Sequence, residues 1–375
     1  MNQTTDLCIY TLTHKKFDVP PDPLYQPLHV GRAGAKDLGY MGDHTGDHIS
    51  HLNCYYSELT GLYWIWKNAK NTYVGTCHYR RYLLNRQEKI FNKNEYLELL
   101  KTYDIITTKQ VILNHSYKDA FSANHNGLAL EMTGKVIAEL YPKDGVVFEE
   151  LVNQNRTYFG NILVAKKEIF DAYCAWLFSV FFQVQKRINL ETGEDAYHKR
   201  VFGFISEFLL LVFVRARGLL AYECKVGMLG EKAETAEIKK GLAGYFLARD
   251  VEGAKAYFLA RKKERPDVTM EASDVTGELH LCMQIIAAAG LELQRTGEHL
   301  LQKENRYDAL ISLFARQNSV VSAWCAGNQT KEDLDFLQNK ILSDITWEVA
   351  VAIAPGTAKQ KERWLHELLQ CRKKP

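Results

Sequence analysis

Paired cysteines are missing from this chain. Its 8 cysteines stand singly and no Cys-x-x-Cys occurs, which removes the usual spacing of a structural zinc site and of a disulfide framework. Proline is scarce, 8 in 375 residues, so long extended linkers are not expected. Neither sign of charge dominates. A formal charge of +2 lacks the basic excess of a dedicated nucleic-acid binder. Long apolar runs are lacking too: the longest, Phe208–Val214, falls far short of the ~20 residues that a bilayer span needs. Met1–Asp6 has no basic stretch leading into an apolar one, so no secretory leader is expected and the chain is expected to be cytoplasmic.

What is present reads as alternating strands and helices, followed by helices alone. A length of 375 residues exceeds the ~250–300 at which single cores stop growing, so a second domain is expected. Leu7–Thr13 is a short β-branched and aromatic run, a first strand, and Leu28–Val30 is a second. Residues 31–53 are rich in glycine and histidine and read as a loop. Tyr56, Leu59, Leu62, Tyr63 and Trp66 recur at helical spacing through Asn68. Further strands are expected at 73–77, 103–108 and 157–165, and further helices at 93–101, 127–141 (stopping at Pro142), 167–187 and 204–217. This is the traffic of an α/β domain. Past Leu229 the segments are alanine- and leucine-rich with few strand signals. A boundary near 230–240 therefore separates an α/β domain, 1–235, from an all-helical one, 236–375. Gly253–Arg261 carries a weak tetratricopeptide flavour, without a clean second copy.

The stretch Tyr73–Tyr82 holds the strongest chemical signal: a strand leading into His78, Arg80 and Arg81. Guanidinium groups grip phosphate oxygens in pairs and stay charged at any physiological pH. At the carboxyl edge of a sheet, such a cluster is a ready anion site able to hold a diphosphate. In strand geometry the two arginines face opposite ways, so one serves a ligand and the other a structural carboxylate. Asp43, Asp47, His48 and His51 offer a metal reading, against which a solvated loop is favoured. Glu207 follows Arg200 by two helical turns and adjoins the apolar run. It is either a partly buried general base or half of an ion pair with Arg200. Asp195 and Glu194, in a polar loop, are alternative bases. His115, His125 and Asn53 form a second tier of polar candidates.

Four stretches together resemble one known family. They are Ile9–Lys15, Gly46–Lys67 (with Ser57-Glu58-Leu59-Thr60-Gly61 inside it), Tyr73–Tyr82 and Gly203–Glu207. The family is a bacterial capsular and exopolysaccharide glycosyltransferase group long filed as a domain of unknown function, some of whose members are galactofuranosyltransferases. The resemblance covers about residues 6–230. It implies a GT-A-like, Rossmann-type nucleotide-sugar-binding domain that moves a hexosyl unit from a uridine-diphosphate sugar to a glycan or lipid-linked glycan acceptor. Thr13, His14 and Lys15 would then contact the nucleotide. His78, Arg80 and Arg81 would hold the diphosphate, and Glu207 or Asp195 would be the base of an inverting displacement. In that fold an Asp-x-Asp motif usually holds manganese or magnesium, but here its place is taken by His78-Tyr79-Arg80, which leaves metal dependence open. The chain also departs from the family at Phe208, where arginine is usual, and at Cys54, often proline. The helical tail, outside the resemblance, is a candidate for contact with a partner protein or a membrane surface. Two rival readings stand beside transfer: a noncatalytic sugar-nucleotide or glycan binder, and a scaffold acting through the tail.

Overall fold

The computed structural model describes residues 6–190, 197–231, 233–265, 268 and 274–372. They form two compact units, Met1–Leu229 and Gly230–Pro375.

The first unit is built on strands β1 (Leu7–Thr13), β2 (Tyr25–His29), β3 (Met41–Gly42), β4 (Tyr73–His78), β5 (Arg81–Leu84), β6 (Ile105–Thr108), β7 (Val111–Ile112), β8 (Arg156–Thr157), β9 (Leu163–Lys166) and β10 (Ala221–Met228). All but β7 and β8, which pair with each other, lie in one sheet ordered β3-β2-β1-β4-β5-β10-β6-β9, with β9 returning to pair with β4. β1 runs parallel to β2 and β4, while β9 runs antiparallel between β4 and β6. Side chains of β1 alternate as the pleat requires: Tyr10 and Leu12 enter the larger core, Leu7 and Ile9 the smaller core on the other face.

The helices of this unit are α1 (Asn53–Tyr56), α2 (Leu59–Asn68), α3 (Lys93–Leu99), α4 (Tyr117–Ser122), α5 (Gly127–Leu140), α6 (Pro142–Val152), α7 (Lys167–Gln185) and α8 (Val201–Ala216). Helices α7 and α8 bury apolar residues around most of their circumference, as elements inside a large core do. Aromatic rings knit α1 and α2 to them: Tyr56 of α1 lies 4.8 Å from Phe202 and Tyr63 of α2 lies 5.1 Å from Phe178.

Three local differences from the sequence expectation have physical causes. Pro142 does stop the helix before it, but it also opens α6 at the first helical position, where its missing N–H costs nothing. β4 does not run out into solvent: Tyr79 and Arg80 make a tight turn and Arg81 starts β5, pairing with His78. The run 157–165 is broken, because Gly160 (φ +94°) and Asn161 (φ +49°) leave the extended region before β9 begins.

The second unit contains, among its described residues, the helices α9 (Ala233–Leu247), α10 (Val251–Glu264), α11 (Glu278–Thr296), α12 (Tyr307–Ala326), α13 (Lys331–Phe336), α14 (Asp344–Ile353) and α15 (Ala358–Arg372). They enclose a core of their own around Leu242, Phe246, Ile285, Phe314 and Trp347.

Candidate active site

The parallel strands β1 and β4 end side by side, with Leu12 paired to His78. Their carboxyl ends therefore deliver the segments 13–15 and 78–81 to one edge of the sheet. The Thr13 hydroxyl accepts from the Lys15 amide at 3.1 Å and so shapes the turn that follows β1. Tyr79 gathers the neighbourhood: His14 meets its ring edge-on at 5.6 Å, and His78 lies at 4.5 Å. Thus His14 and His78 come together across one aromatic ring.

Arg80 is only 5% exposed. Its carbonyl accepts from the Leu229 amide at 2.8 Å, which anchors the turn to the end of β10. Its Nε and Nη1 are buried without a hydrogen-bond partner. Burying a charge without a counter-charge is costly; the guanidinium carbon lies 5.7 Å from the Tyr79 ring centroid. Arg81, one residue on, is partly exposed and has its buried Nε likewise unpartnered. A side chain at Gly160 would meet Arg81 Nη1 at 3.5 Å.

Glu207 lies on α8. The Gly160 amide donates to Glu207 Oε1 at 2.8 Å. Burial, reinforced by the charge of Glu58, pushes its carboxyl up to about 8, while Arg81 and the Gly160 N–H pull the other way. Arg200 does not form the ion pair considered from the sequence. Its Nε donates to the Tyr197 carbonyl and its guanidinium lies over the Tyr197 and Phe204 rings.

A cluster that sequence reasoning missed surrounds Glu207. Asn161 Nδ2 donates to Glu58 Oε1 at 2.8 Å and to the Gly203 carbonyl at 3.1 Å. The Ser206 hydroxyl lies 2.8 Å from Asn161 Oδ1, and the Asn161 carbonyl accepts from Thr76 Oγ1 at 2.9 Å. One buried asparagine thus ties β4, the start of β9, α8 and the corner between α1 and α2. Ser57, at that corner, has φ +48° and ψ −129°, and Asn53 clasps its carbonyl at 2.7 Å. Two signals lay in the sequence. Ser57-Glu58 opens the Ser-Glu-Leu-Thr-Gly block, and Gly160-Asn161 is a turn pair inside a strand-like run.

The remaining candidates are placed as follows. Asp43 is buried and accepts from the Gly31 and Arg32 amides and from Ser50 Oγ, which makes it a clamp between loop segments. Asp47 accepts from the Tyr63 hydroxyl at 3.1 Å. His48 and His51 lie 6.4 Å apart, and no group of three or more His, Cys, Asp or Glu suited to a metal occurs among the described residues. His115 is exposed before α4, whereas His125 stacks on Phe204 at 4.1 Å, beside Arg200. Asp195 and Glu194 lie outside the described residues.

Among solved structures, the chain is similar to the apo structure of the bifunctional glycosyltransferase WbbM, with a TM-score of 0.55 and 24% identity over 65% of this chain. The match covers 52% of that chain, so about half of WbbM has its counterpart here. At this identity the likeness establishes a shared fold. No curated protein matches. A family model described as a domain of unknown function (DUF4422) matches residues 8–218, more than half of the sequence, and the chain belongs to that family.

Proposed function

We propose that residues 1–235 form a GT-A-like glycosyltransferase domain that moves a hexosyl unit, galactofuranosyl among the candidates, from a uridine-diphosphate sugar to a glycan acceptor of a bacterial surface polysaccharide. The single observation that carries this reading is the buried Arg80 guanidinium, with Nε and Nη1 lacking a hydrogen-bond partner, at the carboxyl edge of β1 and β4. A cation so placed stabilises the diphosphate both in the bound donor and as it leaves.

The steps follow from residue chemistry. Thr13, His14 and Lys15 approach the nucleotide, and His78, Arg80 and Arg81 the diphosphate. Glu207 takes the proton of the acceptor hydroxyl as its oxygen attacks the anomeric carbon. The bond from that carbon to the diphosphate oxygen breaks, and the electron pair leaves with the nucleoside diphosphate. The residues in the place of the metal motif, His78-Tyr79-Arg80, include cations and no carboxylate, and so do not fit a divalent ion. No step is routed through one. The helical residues 236–375 are assigned to acceptor, partner or membrane-surface contact.

Incubating the purified protein with a panel of nucleotide sugars, with manganese or with chelator, and following nucleotide release tests donor class and metal need together. Arg80→Ala is expected to lower transfer about 10²–10³-fold, as loss of a preorganised charge donor does, with the circular dichroism spectrum unchanged. Turnover that survives both Arg80→Ala and Arg81→Ala sinks the diphosphate assignment. Donor binding without any turnover favours the noncatalytic binder instead.

A further inference from the structure

The chain spends unusual backbone to bring a second carboxylate to Glu207. Ser57, a residue with a Cβ, is held at φ +48° and ψ −129° directly before Glu58. Asn161 is held at φ +49° directly after Gly160 at φ +94°. Such conformations persist where the surrounding structure over-determines them, often at functional sites. Here both distortions serve the two carboxylates: the Gly160 amide faces Glu207 Oε1, and the Asn161 side chain faces Glu58 Oε1. The helix makes room as well. A Cβ at Gly203, one turn before Glu207, would stand 3.2 Å from Ser57 Cβ and 3.6 Å from Glu58 Oε2.

Glu58 takes a neutral amide from Asn161, whereas the charge of Arg81 acts on Glu207. We propose that Glu58 is a positioning residue of the transfer reaction, acting through Glu207 by placing a second negative charge behind the proposed base. This rests on the assignment of Glu207 as base. Like-charged carboxylates held together resist joint ionisation, so one of them keeps its proton to higher pH and becomes the stronger base. The titratable and charged groups facing Glu207 are Glu58 from the corner before α2, Arg81 from β5, Tyr117 from α4 and Tyr173 from α7. Both tyrosines are pushed to higher pH by burial and by the charge of Glu207. Of these groups, only Glu58 is a second carboxylate.

The test is the pH dependence of kcat in the full chain with saturating uridine-diphosphate sugar. Glu58→Gln keeps an oxygen for Asn161 and removes the charge. Its acid limb is expected to move toward lower pH by about one unit, roughly tenfold in proton affinity, and Glu58→Asp is expected to restore most of the difference. A uniform loss of kcat with the limb unmoved overturns the proposal, because a structural role lowers the rate without moving the limb. Infrared titration of the carboxylic acid stretch, without substrate, separates this from the base assignment. The band lost in Glu207→Gln must titrate near neutral pH in the unsubstituted protein and at lower pH in Glu58→Gln. If it titrates in the ordinary carboxylate range, the coupling is absent and the proposal falls, whether or not Glu58→Gln folds. If the coupling is present but Glu207→Gln keeps full turnover, the base assignment fails, and the role given to Glu58 in transfer fails with it.

Discussion

Glu207 combines burial, a like-charged neighbour and a cation, and the balance has consequences for stability as well as for chemistry. Its carboxyl titrates at about 8 in the fold against 4.5 when unperturbed. The folded state therefore binds the extra proton, and the stability this confers is complete below about 4.5 and lost as pH rises through about 8. Glu207→Gln is neutral at every pH and escapes that loss. It is expected to match the unsubstituted protein in thermal midpoint at pH 4.5 and to exceed it at pH 9. The residue keeps partial exposure, so a gain on the order of 1–3 kcal/mol is expected rather than the full value of the shift. Scanning calorimetry at the two pH values decides the matter, and a gain that is the same at both would contradict it. At this scale the sequence was partly legible. Arg80, Arg81 and Glu207 stood out because charge next to an apolar run is locally visible. Glu58 and Asn161 did not, since their role comes from contacts across about 100 residues of chain, which local spacing does not encode.

Helix α2 lies against the sheet where Gly61 faces β1. A Cβ there would fall 2.8 Å from Leu12 Cδ2 and 2.8 Å from Val30 Cγ1, both buried. Gly61→Ala therefore sets two effects against each other. Alanine gains about 1 kcal/mol of helix propensity, while overpacking a filled core costs about 1–3 kcal/mol. The core term is expected to win, lowering the urea midpoint without changing the slope of the transition. An unchanged or raised midpoint would mean that Leu12 and Val30 yield freely. The elements most legible in the sequence were those with local cause. β1 occupies Leu7–Thr13, the run read from β-branched and aromatic residues, and α2 carries the apolar spacing through Asn68. Strands β5 and β10 were not anticipated. β5 is four residues long and opens on an arginine, and β10 carries Glu223 and Lys225 within an eight-residue run. They pair with each other, and β10 pairs with β6 as well, in both cases across more than 100 residues.

At the scale of the whole molecule, the buried apolar residues among those described sort into cores that share no member across the boundary after Leu229. The two cores of the first unit end at Val226, and the core of the second begins at Ile238. Every residue proposed for donor binding and proton transfer lies in the first unit. Residues 1–230 alone are thus expected to unfold in one cooperative transition and, with saturating acceptor, to release nucleotide from the preferred donor as fast as the whole chain does. Residues 236–375 alone are expected to give a helical circular dichroism spectrum and no turnover. Enough internal core is present for this, since domains of 100–150 residues commonly fold alone. The scaffold reading makes the opposite forecast: neither fragment nor whole chain consumes donor, and loss of 240–375 abolishes the biological role. Measuring nucleotide release by the 1–230 fragment beside the full chain separates the two. If the fragment folds cooperatively yet releases nothing while the full chain turns over, the second unit supplies something the reaction itself requires, and the assignment of all the chemistry to the first unit is wrong.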